Sequence, residues 1–325
     1  MSSRTRLFAI IVLALAALIA PNLVLTDAPT AAGMLGLGGL GIVLATLAAG
    51  LRIGALAALA VGAASGIAVA GSAVIAVGVL VMVATALGLG VSARWHWNRA
   101  FIALPIAVAF VVAEDPTQDP LASGIAFGAA MAGYGLLVAV ISSPLRPHKH
   151  ADQSTPAAAP ASWSRTWGYA AVLATTTAAT SAIALGLDWG HTGGWLMMTP
   201  FIVIQPYVQD GWRKALSRTL GTVSGFLIAY ALAELLGSGN LVTVIGVAFG
   251  VLAVTAMVER WPYAVYATFL TPAIVILESI GRPIQATDDN RLIATVSGVA
   301  LALLAMAIAT PLYRRQARKH GLDHY

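Results

Sequence analysis

The sequence predicts an all-α polytopic membrane protein, with about twelve transmembrane helices arranged as two parallel six-helix repeats. Three observations predict it. The chain is 59% hydrophobic and 10% charged, with a mean hydropathy of +0.85, whereas a soluble domain carries roughly 25% charged residues. A long apolar segment occurs twice, as SGIAFGAAMAGYGLLVAVISSPLR at 123–146 and NRLIATVSGVALALLAMAIATPLYR at 290–314. The basic residues fall in short clusters between apolar stretches, as topology signals do.

The repeat has a constant offset of 167 residues, which carries Pro144 onto Pro311 and Pro105 onto Pro272. Arg94-Trp95 and Arg260-Trp261 are paired at nearly that offset. Each copy holds an even number of spans, so the copies share one orientation and are related by an axis along the membrane normal. The units are residues 1–145, a cytoplasmic linker at 146–166, residues 167–313, and a basic cytoplasmic tail at 314–325.

A spanning helix needs about 20 mostly apolar residues, which places segments at about 7–25, 31–49, 53–70, 73–91, 99–113 and 122–142. The second set lies at about 168–187, 194–209, 216–236, 240–258, 262–280 and 291–312. The first follows Arg4 and Arg6, is interrupted at Pro21-Asn22 and lacks a small-x-small cleavage site, so it reads as a retained helix. The second and third are glycine-rich (Gly33, Gly36, Gly38, Gly39 and Gly41, then Gly54, Gly62 and Gly66), which predicts close helix packing. The third and fourth are parted only by Gly71-Ser72. The fifth is short, and the eighth is short with two prolines.

The charges test this map. With both termini cytoplasmic, sixteen of the 18 Lys and Arg residues face inward, and only Arg282 and Arg291 face outward. Asp27, Glu114, Asp115, Asp119, Asp188, Asp288 and Asp289 fall in outer loops. This alternation predicts an even number of spans with both termini inside, and the protein is read as one of a bacterial inner membrane. The same distribution argues against nucleic acid as the partner of the net +5 charge. There is no cysteine, which excludes disulfides, thiolate metal sites and thiol chemistry. No phosphate-binding loop, His-Glu-x-x-His helix or nucleophile elbow is present, so the chain reads as a non-enzyme without cofactor or metal.

Polar residues at membrane depth concentrate at 194–225, GWLMMTPFIVIQPYVQDGWRKALSRTLGTVSG. Breaks are predicted at Thr199-Pro200 and Gln205-Pro206, then a basic turn with Arg213, Lys214 and Arg218, then a helix opening with Gly221, Thr222 and Gly225. A proline frees a carbonyl in the preceding turn, and in lipid such a group needs a partner or a wet cavity. With the cations beside it, the stretch is a candidate anion site. A kinked helix with a topology-setting basic cluster explains the same residues.

This stretch resembles the fusaric-acid-resistance family, the aromatic acid exporters. The matching positions are Trp195, Thr199, Gln205-Pro206, Arg218, Gly221-Thr222 and Gly225, and Thr271-Pro272 is similar to that family's fifth helix. The resemblance is clear over 165–315. It implies export of a small organic anion, with Arg213, Lys214 and Arg218 gathering it and Thr199, Gln205, Pro206, Thr222, Thr271 and Pro272 along its path. Trp195 is a candidate for stacking on an aromatic substrate. A more distant likeness to plant malate channels, which share the six-helix unit, makes a homodimer an assembly to test. Exporters of the family carry cytoplasmic domains after each membrane half. Here a short linker and tail stand in their place.

Glu278 and Glu234, near outer helix ends, are the proton-coupling candidates. His191 lies in an outer loop, and His148 and His150 lie in the linker, where solvent exposure is the ordinary state. The Trp residues fall mostly at helix ends, as an interfacial belt does. Two other functions account for the same features, a passive anion channel and a non-transporting membrane scaffold or subunit of a larger complex.

Overall fold

The computed structural model describes residues 3–146, 162–205, 208–236, 240–259, 261–278 and 293–309, and within them every regular element is helical. The first stretch holds α1 (Ser3–Val24), α2 (Pro29–Ala49), α3 (Leu51–Ala70), α4 (Ile75–Ser92), the short α5 (Asn98–Phe101), α6 (Ala103–Val112) and α7 (Pro120–Ser142). Then follow α8 (Trp163–Gly186), α9 (Gly190–Val203), α10 (Val208–Leu236), α11 (Asn240–Val258), α12 (Tyr263–Glu278) and α13 (Ile293–Ala309). Seven helices among the described residues are long and apolar enough to cross a membrane. The chain is a multi-pass membrane protein.

The packing is that of a bundle in lipid. The centre is apolar, with Ile42, Met82, Val108, Leu173, Leu196, Met197 and Phe201 buried from α2, α4, α6, α8 and α9. The outside is apolar too, with Phe8, Leu80, Leu121, Ile125 and Leu227 all exposed. In water so much exposed hydrocarbon would aggregate. In a bilayer it is the solvated face.

Small residues set the close contacts. A methyl group at Gly66 would lie 2.9 Å from the Gly124 carbonyl, and one at Gly128 would lie 2.9 Å from the Gly62 carbonyl. The Gly62/Gly66 pair of α3 and the Gly124/Gly128 pair of α7 thus bring two backbones into contact, as the predicted packing role requires. Gly50 ends α2 with φ +96° and α3 begins at the next residue, a turn for which a side chain would be strained.

Several expected boundaries are corrected. Pro21 does not interrupt α1, which runs on to Val24. The proline frees the Ala17 carbonyl, and the Tyr134 hydroxyl of α7 donates to it at 2.6 Å. Pro200 does not break α9 either, and Ile204 N–H donates to the Pro200 carbonyl at 2.9 Å. The break falls at Ile204, which is extended. The basic turn does not exist. Arg213, Lys214 and Arg218 lie within α10, which starts at Val208 rather than near 216. Hydropathy marks where a helix meets lipid, whereas Gln, Arg, Lys, Ala and Leu all propagate a helix beyond that point. Likewise α8 starts at Trp163, inside the expected linker, because the Ser162 side chain accepts from Arg165 N–H.

Candidate functional site

Polar burial is lopsided. In the first seven helices the buried polar side chains are Thr46, Ser65, Ser92 and Ser142, all small hydroxyls. From α8 onward they are Thr166, Thr176, Thr177, Thr180, Ser181, Thr199, Gln205, Arg218 and Thr295. Arg218 carries the only charge that is buried among the described residues.

Its position follows from two close approaches. On α10, Gly221 and Gly225 are one turn apart and face α12. Methyl groups there would lie 2.5 Å from Ala267 Cβ and 2.6 Å from Thr271 Cβ. The second would also lie 2.8 Å from Pro272 Cδ and 2.9 Å from the Thr268 carbonyl, the one that Pro272 leaves without its helical donor. Lacking side chains, the glycines bring α10 flush with α12. That sets Arg218, on the same face one turn earlier, against the first residue of α12, Tyr263. Arg218 Nη1 donates to the Tyr263 hydroxyl at 3.3 Å.

On its other side Arg218 Nη2 donates to Thr199 Oγ1 at 3.5 Å, and Thr199 donates to the Trp195 carbonyl at 2.7 Å. A methyl group at Gly298 of α13 would lie 2.7 Å from Thr199 Cβ, so α13 presses on this threonine directly. Arg218 is 4% exposed, and its Nε has no hydrogen-bond partner among the described residues. Arg218 is thus a buried charge within α10 and not an exposed member of a basic turn. The guanidinium is held by two long bonds to neutral hydroxyls, and no ion pair satisfies it among the described residues. A buried charge in that state is costly, and a carboxylate that took its two parallel donors would relieve the cost.

The other expected residues divide. Trp195 and Thr199 join Arg218. Trp195 is not interfacial but buried, with its indole packed edge-on against Phe110 of α6 at 5.1 Å between ring centroids. Thr271 and Pro272 belong to the α10/α12 contact, the Thr271 hydroxyl donates back to the Ala267 carbonyl at 2.9 Å, and Thr222 is half-buried on α10 next to Gly221. Gln205 closes the end of α9 instead, with its amide donating to the Ile202 and Ile204 carbonyls at 2.9 and 3.2 Å. Glu234 is exposed on α10, sixteen residues past Arg218, or about 24 Å along the axis. Pro206 and the side chains of Arg213, Lys214 and Glu278 lie outside the described residues. Two cavities lie elsewhere, one at the junction of α3, α4, α6 and α8 and one between α3 and α7.

Sequence reasoning missed Tyr263, Gly298 and the hydroxyls of α8. His191 is exposed, as expected, but it lies in the first turn of α9 and not in a loop, with Nδ1 2.8 Å from Glu114 Oε1 and its ring packed on Phe110. The run TTTAATS at 175–181 was a legible signal, because five hydroxyls in seven residues of an apolar span repeat at helical spacing. Tyr263 and Gly298 had no local signal, being partners only through the fold.

Residues 177–305 match the model of a family described as fusaric acid resistance protein-like. No curated protein and no solved structure matches the chain. The matched segment runs from α8 into α13 and contains Arg218, Thr199, Tyr263 and Gly298. Over these residues the chain is similar to that family.

Proposed function

We propose, taking residues 177–305 as a fusaric acid resistance protein-like membrane segment, that the protein exports organic anions. The substrates are aromatic or other carboxylates, moved across a bacterial inner membrane and coupled to proton inflow. One observation carries the reading. A guanidinium 4% exposed is held between helices by two neutral hydroxyls, with its Nε–H unused among the described residues. A resident structural cation would be matched by a carboxylate, since leaving a buried charge unpaired is strongly unfavourable. A site that binds and releases anions leaves that place for its cargo. Thr199 and Tyr263 hold the guanidinium in place between visits. Glu278 and Glu234 are the carboxylates to test for coupling on α12 and α10.

The architecture proposed is twelve spans in two parallel repeats, with both termini inside. Its support is that α4 packs along α8 and α11 touches α1. These two contacts exchange when the first and fourth spans of one half are swapped for those of the other. The inward bias of Lys and Arg supports the orientation.

The test is flux of benzoate in proteoliposomes, with and without a pH gradient. Uptake driven by the gradient and abolished by Arg218→Met in folded protein is the expected result. Flux indifferent to the gradient selects a passive anion channel. A complete lack of flux selects a scaffold or subunit role. A thiol placed at Ser154 should react only from the cytoplasmic side.

A further inference from the structure

A second polar feature lies on the opposite side of α9 from Arg218. The cavity at the junction of α3, α4, α6 and α8 has a volume of about 120 Å³, and Ser72, Gly78, Glu114, Asp115, Leu185 and Asp188 are among its lining residues. Among the described residues three carboxylates and no lysine or arginine line it. Glu114 is paired with His191 at its edge.

The cavity stands at one end of the α4/α8 contact. A methyl group at Gly78 would lie 2.8 Å from Leu185 Cδ1, and both residues line the cavity. At the far end a methyl group at Gly90 would lie 2.5 Å from Ala170 Cβ. The two helices therefore run antiparallel, and the α8 face turned to α4 carries Ala170, Ala174, Thr177, Ser181 and Leu185. The two hydroxyl residues of that face are 0% exposed.

Neither hydroxyl has a partner among the described residues. This is not the habit of the helix. Thr175, Thr176 and Thr180 all donate to carbonyls one turn back, at 2.8 to 3.1 Å. A buried hydroxyl left unmade costs about 1–3 kcal/mol, and within a bilayer bulk water cannot relieve it. Ser181 lies one turn along α8 from Leu185 of the acidic cavity and Thr177 one turn further, which sets two unmade oxygens in line to meet something small and cationic or a water that carries it.

We propose that this cavity and the Ser181–Thr177 face of α8 form the access route of a small monovalent cation, a proton or an alkali ion, between the two halves of the chain. The carboxylates concentrate the cation and repel the anionic cargo. The hydroxyl oxygens replace part of its hydration along the seam. The route is separate from Arg218, and α9 stands between the two, packed on α8 through Gly193 and Ala184 and joined to α10 through Thr199. It would supply the coupling ion of the export proposed above, and it rests on that reading in this respect alone.

The chain has no native cysteine, so single thiols report cleanly. Silver ion is the probe, a bare monovalent cation that binds thiolate tightly. Silver added outside intact cells should protect the thiols of Ser72→Cys, Ser181→Cys and Thr177→Cys from later maleimide labelling in denaturant. It should leave Ala179→Cys, at the same depth on the exposed face, fully labelled. Adding Glu114→Gln should slow protection of Ser181→Cys about tenfold, through loss of attraction at the mouth. Full labelling of Ser181→Cys while Ser72→Cys is protected overturns the route, and so does equal protection of Ala179→Cys. In proteoliposomes, Thr177→Val/Ser181→Ala should keep downhill benzoate flux and lose its response to an imposed ion gradient. A pH gradient without sodium and a sodium gradient at constant pH identify the ion. An unchanged response in both arms overturns the route. The silver result needs no organic anion flux, so it stands apart from any failure of the export reading.

Discussion

Arg218 Nη2 lies 3.5 Å from Thr199 Oγ1, which ties α10 to α9 through a cation and a hydroxyl that already donates elsewhere. Thr199 gives its proton to the Trp195 carbonyl at 2.7 Å, so toward Arg218 it can only accept. The pair is therefore oriented and weak. A carboxylate arriving at the guanidinium competes with a long neutral bond, not with a salt bridge.

Arg218→Met should abolish benzoate flux while leaving the thermal midpoint unchanged or raised, because a buried charge replaced by an apolar side chain of similar volume is often neutral or stabilising. Arg218→Lys should keep part of the flux, since an ammonium offers a point charge without the bidentate fork. Flux assays and melting in detergent, run on the same preparations, check both. A large fall in stability for the Met variant would show that Arg218 is structural.

Gly225→Ala should destabilise the protein by about 1–3 kcal/mol, the range for forcing extra volume into a packed interface. The added methyl meets Thr271 Cβ at 2.6 Å and Pro272 Cδ at 2.8 Å. Because this contact also seats Tyr263 on Arg218, anion flux should fall with stability. Melting combined with flux tests the coupling.

Gly298→Ala acts from α13. The new methyl would lie 2.7 Å from Thr199 Cβ, so Thr199 must shift relative to Arg218. The expected signature is a raised KM for benzoate with less change in maximal flux, since the cargo's binding partner is displaced while α9 and α10 persist. Equal KM values in the two proteins would show that Thr199 does not position the site.

Tyr134→Phe should cost about 0.5–1.5 kcal/mol, the net worth of one hydrogen bond. The Tyr134 hydroxyl satisfies the Ala17 carbonyl at 2.6 Å, the group Pro21 strips of its helical donor. Pro21→Ala supplies that donor again, so the double variant should lose less than Tyr134→Phe alone. Additive losses in a double-mutant cycle would refute the compensation.

By itself the sequence determined that the chain lives in a bilayer, where its apolar stretches lie, and where its polar residues at membrane depth concentrate. Those properties are local. Hydropathy is a sum over neighbouring residues, and a basic cluster in the chain remains one in the fold. The same locality explains the errors. Proline is legible as a missing donor, so breaks were expected at Pro21 and Pro200, yet α1 and α9 run through them. At Pro21 the repair comes from Tyr134, 117 positions away. The apolar window hid the start of α10, because helix propensity continues where hydropathy ends. Arg218 was legible as a candidate, but its burial was not. Burial required the glycine face of α10 against α12, Thr199 from α9 and Gly298 from α13, contacts that only the tertiary structure makes. The unpartnered hydroxyls of α8 were written in the sequence as a threonine run. Which of them turn toward a carbonyl and which toward α4 was decided by packing, because a hydroxyl rotor has both choices until a neighbouring helix removes one.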